Sequence, residues 1–370
     1  MSLRRLLAVA YKEFLQIFRD VRVMIMAFAI PLALLILFGY AVTLDVNNLP
    51  LGIYDQDGSR ESRELILSLT QSGYFSVKGY VENYRELQNL IEKGEIKIGL
   101  VIPENFSEKI KSGRKIEIQT ILDGSDANTV SIGSGYLTGA IQLFSQALTS
   151  SDYQIPVEPK VRLWYNQELK SRNYIIPGLI AVIMMIIGAL LTSLVVAREW
   201  ERGTMEQLIA TPIKSSELVF GKLVPYFAIG MIDLLIAVLL SRLIFKVPFR
   251  GDYLLMVFVS GIFLVGALGV GMFISILTKS QQLAYQMAML TSFLPGYILS
   301  GFIFPIFNMP LFLRIVTHIV SARYYIKILQ GIFLKGNSLR ILGVEVLLLS
   351  LFALIMMIIA NLIFKKKLPD

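Results

Sequence analysis

Few residues in this chain can do chemistry, and most of them point away from catalysis. Its 370 residues include no cysteine and one histidine, His318. Disulfides and cysteine-ligated metal centres are excluded, and a histidine-based metal or proton relay lacks its parts. His318 reads as structural. Asp123 and Asp126 flank Gly124-Ser125, with no further carboxylates at ligand spacing, so a loop and helix cap describe them better than a calcium site. Asp233 is different. It lies near the middle of the apolar run Leu223–Phe245, where an acid costs about 2.5–3.5 kcal/mol unless it is compensated. It must face a bundle interior, either paired for structure or taking part in transport of a cation or proton. An intramembrane enzyme would need a paired Asp, a His cluster or a nucleophile with its base, and none is legible.

The other chemical feature is a charged stretch, Ala197–Pro212, reading AREWERGTMEQLIATP between two apolar runs. Charge held between membrane spans must sit at a water-facing mouth. Gly203 and Thr204 read as a turn and an N-cap, and Met205–Ala210 as a short helix ended by Pro212. A short, rigid helix at the membrane surface is something another protein can push.

The rest of the chain must position these groups. It is 55% hydrophobic with mean hydropathy +0.64, which indicates a polytopic membrane protein. Six apolar runs can each cover a bilayer: Val23–Leu44, Tyr174–Ala197, Leu223–Phe245, Tyr253–Leu277, Leu283–Phe307 and Ile341–Phe364. Pro295 and Pro305 should kink or end the fifth. Small residues recur every four positions at Ala284, Ala288, Ser292, Gly296 and Ser300, and at Ala267, Gly271 and Ser275. They let helices approach closely, as packing within the chain, a dimer seam or the wall of a substrate path. Glu345, near a span end, should reach water. Residues 2 to 20 form an amphipathic helix, with Leu3, Leu7, Ala10, Phe14 and Phe18 on one face and Arg5, Lys12 and Arg19 on another. Such a helix lies in the lipid headgroups. A cleaved signal peptide fits less well, because the following apolar run of 22 residues exceeds the roughly 7–15 of a signal core.

Asp45–Arg172 alternates strand-like and helical runs: Leu51–Tyr54, Ser62–Thr70, Phe75–Val81, Tyr84–Glu92, Ile96–Ile102, Phe106–Lys111, Ile116–Leu122, a longer helix near Ser125–Leu148, and a possible strand Lys160–Trp164. Asn83 with Glu86 resembles a capping box. This segment holds 14 basic and 17 acidic residues, net −3; the remainder holds 21 and 10, net +11. The basic excess belongs to the membrane part, and a nucleic-acid partner is not required. Near the span ends, 13 Lys and Arg lie on the side of the termini and 8 opposite. That bias places both termini and the Arg198 loop in the cytoplasm. The expected fold is an α-helical polytopic membrane protein with six transmembrane helices and an α/β extracytoplasmic domain inserted between helices 1 and 2. Its parts are an interfacial helix (1–22), helix 1 (23–44), the α/β domain (45–172) and a five-helix region (173–370).

The whole layout resembles the type-2 ABC transporter permeases. Arg198–Pro212 is similar to that family's R-E-R-E-x-G-T-x-E-Q-L-like run before a T-P, departing from it at Trp200. Leu299-Ser300-Gly301-Phe302-Ile303-Phe304-Pro305 with Met309-Pro310 is similar to the family's L-S-G-x-x-x-P followed by M-P. The resemblance implies a permease in the inner membrane, exporting a drug, lipid or polysaccharide, paired with a second copy or a paralogue. It implies separate ABC ATPase subunits that hold ATP and Mg, with no cofactor on this chain; a periplasmic adaptor is a further possible partner. The chain agrees in having no G-x-x-x-x-G-K-[ST] run. The residues expected to couple to the ATPase are Arg198, Glu199, Glu201, Arg202, Gly203, Thr204, Glu206 and Gln207, with Lys12 and Glu13 bracing the same partner. Asp233, Ala288, Ser292, Gly296 and Ser300 are expected in helix packing or a substrate path. The alternative is a membrane receptor or assembly scaffold with an external ligand-binding domain, for which one or two spans would suffice.

Overall fold

Apolar side chains at helical spacing build most of the described residues, and short alternating stretches build a four-stranded sheet. The computed structural model describes residues 2–41, 48–123, 127–148, 165, 166 and 170–364. The possible strand Lys160–Trp164, the end of the first apolar run, Gly124–Asp126 and Lys365–Lys367 lie outside the described residues. The chain divides into two units, Met1–Thr43 with Leu163–Asp370, and Leu44–Arg162.

In the first unit, α1 (Leu3–Arg19) opens the chain. Leu6, Val9, Glu13 and Ile17 turn inward, while Leu3, Leu7, Phe14 and Phe18 are exposed. Ala10, expected on that outer apolar face, is buried instead. The first apolar run is broken: α2 (Val21–Met24), a π turn at Ile25–Ala29 and α3 (Ile30–Ala41).

The second unit is an α/β layer structure. Its elements are β1 (Leu49–Asp55), α4 (Arg60–Gln71), β2 (Phe75–Tyr80), α5 (Tyr84–Glu92), β3 (Ile98–Ile102), α6 (Phe106–Lys111), β4 (Gln119–Leu122) and α7 (Ala127–Leu148). The sheet order is β2-β1-β3-β4, with β1 parallel to β2 and β3, and β4 antiparallel to β3. Period-two alternation sends Leu49, Leu51 and Ile53 to a core shared with Leu65, Leu69, Phe106 and Leu137. On the other face, Leu87 of α5 packs with Val81, Ile96 and Val101. The Asn83 side chain accepts from Glu86 N at 2.8 Å, and Glu86 accepts from Glu82 N at 3.1 Å. The capping pattern in the sequence is therefore realised, with the return bond one residue earlier. Asp123 is ion-paired with Lys97. Among the described residues, no group of three or more His, Asp or Glu could hold a metal ion.

The first unit resumes with α8 (Ser171–Glu201), α9 (Thr204–Ala210), α10 (Ser215–Leu243), α11 (Tyr253–Thr278) and α12 (Gln281–Ala288). It closes with α13 (Leu311–Val316), α14 (Ser321–Gln330) and α15 (Leu339–Ile363). Among the described residues, four helices are long and apolar enough to cross a membrane: α8, α10, α11 and α15. The window Ile25–Tyr40 is a shorter apolar helix. Buried along almost its whole length, α8 is the axis on which the others pack.

The fifth expected span, Leu283–Phe307, is not one helix. It runs from α12 into π turns at Met289–Phe293 and Pro295–Leu299, and the chain turns at Gly301, φ +85°. Pro295 has no N–H for the ladder and opens the second π turn, and the helix ends after Leu299. The following segment was expected to lie outside the spans. Its α14 instead buries Tyr325, Ile326, Ile328 and Leu329 in the core of the unit. The Tyr325 ring stacks on Phe263 at 4.0 Å, and its hydroxyl donates to Ser260 at 2.6 Å. The repeat of apolar residues in α14 is too short to read as a buried element, so its depth is decided by α8 and α11. Glu345 is ion-paired with Lys327, whose side chain is largely exposed, and His318 is exposed, its Nδ1 3.0 Å from the Arg314 carbonyl.

Candidate coupling site and a buried acid

The charged stretch forms the end of α8, a one-glycine reversal and α9. Gly203 has φ +70° and is the residue before the helix. That backbone favours glycine, so Gly203 takes the cap position and Thr204 is the first helical residue, not the N-cap. The Thr204 hydroxyl instead donates to the Glu199 carboxylate.

Glu199 is the centre of a buried charge knot. Lys12 Nζ of α1 donates to Glu199 Oε1 at 2.7 Å. Lys222 Nζ of α10 donates to the same oxygen at 3.0 Å and also to Glu13 of α1. Arg198 faces Asp20 at 3.7 Å. Glu13, Arg198, Glu199 and Lys222 are each no more than 5% exposed. Three helices are thus pinned together by charges that largely compensate one another's desolvation. A second tie holds the start of the chain: Arg5 donates to the Pro212 carbonyl at 2.6 Å, and Ser2 N donates to the Glu217 carboxylate.

This geometry divides the predicted coupling residues. Arg198, Glu199 and Glu13 point into the protein. Glu201, Arg202, Glu206 and Gln207 are exposed, and Lys12 keeps half its side chain in the open. Glu201 is held in place by Gln281, whose backbone N and side-chain Nε2 lie at 3.1 and 2.8 Å. Trp200, the departure from the family pattern, lies under the Lys279 ammonium at 4.8 Å. Met205 is buried beneath α9, with Leu208 and Ile209 packed against the same core. The helix is therefore seated rigidly and shows its polar edge. Sequence reasoning missed Lys222, Asp20 and Gln281 as partners. The one local signal was a lysine inside the apolar stretch Leu218–Tyr226.

The small-residue stripe is buried within the chain. Ala284, Ala288, Ser292, Gly296 and Ser300 are all buried. A Cβ on Gly296 would meet Met185 of α8 at 3.2 Å. The Ser292 and Ser300 hydroxyls return to carbonyls of their own turns, Ala288 and Gly296. On α11, Ser275 Oγ accepts from Val196 N and Ala197 N of α8, both at 2.9 Å. Asp233 is buried on α10 and lines a cavity with residues of α3, α8 and α11. Neither of its carboxylate oxygens has a hydrogen-bond partner among the described residues. Structural pairing, one of the two readings of this acid, finds no partner there.

The family described as ABC-2 family transporter protein matches residues 21–362. The chain is 40% identical over 353 residues to the probable multidrug ABC transporter permease YbhS of Escherichia coli, covering 94% of this chain and 93% of that protein. It is 31% identical over 313 residues to the probable multidrug ABC transporter permease YbhR of the same organism, covering 83% of each. The inner membrane transport permease YhhJ of E. coli is 23% identical over 350 residues. Its apolar helices and this match together place the chain in the ABC-2 transporter family, as a membrane transport component rather than an enzyme.

Proposed function

We propose that this chain is the permease subunit of an ABC exporter of the multidrug type, working as a homodimer or heterodimer with separate ATPase subunits that bind ATP and Mg²⁺. The observation that carries the reading is α9: a short helix with Glu206 and Gln207 exposed, joined through the Thr204 hydroxyl to Glu199 of α8, which buried charge ties to α1 and α10. Movement of an ATPase against that edge is passed to three helices at once, which suits a rigid-body switch. In this reading α3 with its preceding turns, and α12 with its π turns, complete six crossings. Both termini and α9 face the cytoplasm, and the α/β unit lies outside the inner membrane.

Topology is directly testable, because the chain has no native cysteine. A cysteine at exposed Glu104 should be labelled by an impermeant maleimide in intact cells. One at Gln207 should be labelled only after permeabilisation. Labelling of both from the same side rules the topology out.

Coupling is tested on the exposed edge. Glu206→Lys breaks no described contact, and exposed changes of this kind alter stability by only about 0.5 kcal/mol. It should insert normally yet lower export and permease-stimulated ATP hydrolysis severalfold. Gly203→Pro should do the same more severely, since proline cannot adopt φ +70°. Normal export by Glu206→Lys would remove α9 from the coupling path.

A further inference from the structure

Asp233 lies in a cavity with walls from four helices: Pro31 and Leu35 of α3, Met184 of α8, Tyr226 of α10 itself and Leu264 of α11. The walls are apolar almost throughout. Asp233 is 6% exposed, and both carboxylate oxygens are without a partner among the described residues. Tyr226, two turns away along the same face of α10, is also fully buried and lines the same space. A buried acid with no partner among the described residues is expensive. A greasy cavity with one acid and one aromatic wall is the chemistry that holds an organic cation: the carboxylate meets the charge, the ring face adds cation–π attraction, and the alkyl walls take the hydrocarbon. A metal ion would need several oxygen ligands, and the walls offer one carboxylate.

We propose that this cavity is a binding site for lipophilic organic cations, with Asp233 as the counter-charge. The proposal rests on the permease reading and names a substrate class for it. As it stands, the space is about 20 Å³, room for about one water, whereas ligand pockets run to about 300–1,000 Å³. The structure therefore has the site closed. The wall that can yield is α3, because Pro31 and Leu35 follow the π turn Ile25–Ala29, and such turns are breaks in the helical ladder.

The test is equilibrium binding of radiolabelled tetraphenylphosphonium to the full-length protein in lipid nanodiscs. Tetraphenylborate, of the same shape and opposite charge, is the control. The wild type should bind the cation saturably. Asp233→Asn should weaken that binding about tenfold or more, the scale of losing a charged partner in a buried site, without weakening the anion. Asp233→Glu should keep it within about threefold, less than about 1 kcal/mol. Ala237→Phe, which fills the cavity and leaves the carboxylate, should abolish it. If Asp233→Asn fails to fold, Ala237→Phe decides: lost binding supports the site, and retained binding overturns it. Unchanged cation affinity in a folded Asp233→Asn, or no saturable binding by the wild type, overturns the proposal. Failure of the permease reading is seen elsewhere, as a wild-type chain that neither co-purifies with an ABC ATPase nor stimulates its ATP hydrolysis.

Discussion

Lys222→Met should leave little folded protein. Lys222 is 1% exposed and serves two buried carboxylates at once, Glu13 on α1 and Glu199 on α8. Methionine matches its length and packing but not its charge. Two carboxylates then stay in the interior with no common cation, and Glu199 keeps only Lys12 and Thr204. Removing one partner of a buried ion pair costs about 3–5 kcal/mol, against a total stability of about 5–15 kcal/mol for a typical fold. The expected result is a large fall in the monodisperse fraction and in the unfolding temperature of the purified protein. The double variant Glu13→Leu with Lys222→Met removes one charge of each sign and should recover part of the loss. The triple charge centre is disproved if Lys222→Met alone melts like the wild type.

Gly271→Ala should be nearly as damaging, although it adds one methyl group. At Gly271 the backbone of α11 comes close to α8. A Cβ there would lie 2.0 Å from Thr192 Oγ1 and 2.3 Å from the Ala189 carbonyl oxygen. The second of these is backbone and cannot rotate away. The two helices must separate, which breaks the 3.0 Å bond from Thr192 Oγ1 to the Leu268 carbonyl and disturbs the paired bonds at Ser275. Overpacking of this kind costs about 1–3 kcal/mol, and a lost buried hydrogen bond adds about 1 kcal/mol. Two controls separate the clash from the glycine itself. Gly261→Ala meets nothing nearer than Phe227 at 3.5 Å, and Gly343→Ala meets nothing within 4 Å. Both should be neutral or slightly stabilising, because alanine is the better helix former by about 0.5–1 kcal/mol. Equal melting temperatures for Gly271→Ala and the two controls would refute the close approach of α8 and α11.

What the sequence by itself determined is everything set by near neighbours. Hydropathy and length placed α8, α10, α11 and α15, since a long apolar run has few other places to go. Alternation and turn residues located each described strand and helix of the α/β unit to within a few residues, and Asn83 marked the start of α5. Pro295 marked where the second π turn after α12 begins. The tertiary structure decided what depends on distant partners. Arg198, Glu199, Glu201 and Arg202 look alike as letters, yet the first two are buried and the last two exposed. The difference comes from α1 and α10, which supply Asp20, Lys12 and Lys222 from far along the chain. Ser321–Gln330 is too short and too mixed in composition to declare its depth, and only the groove beside α8 and α11 buries it. Asp233 was legible as an anomaly, but that it meets a cavity and no partner among the described residues follows from how α3, α8 and α11 close around it. Charge pairing and cavities are properties of surfaces brought together in space, and no local pattern encodes which surfaces those will be.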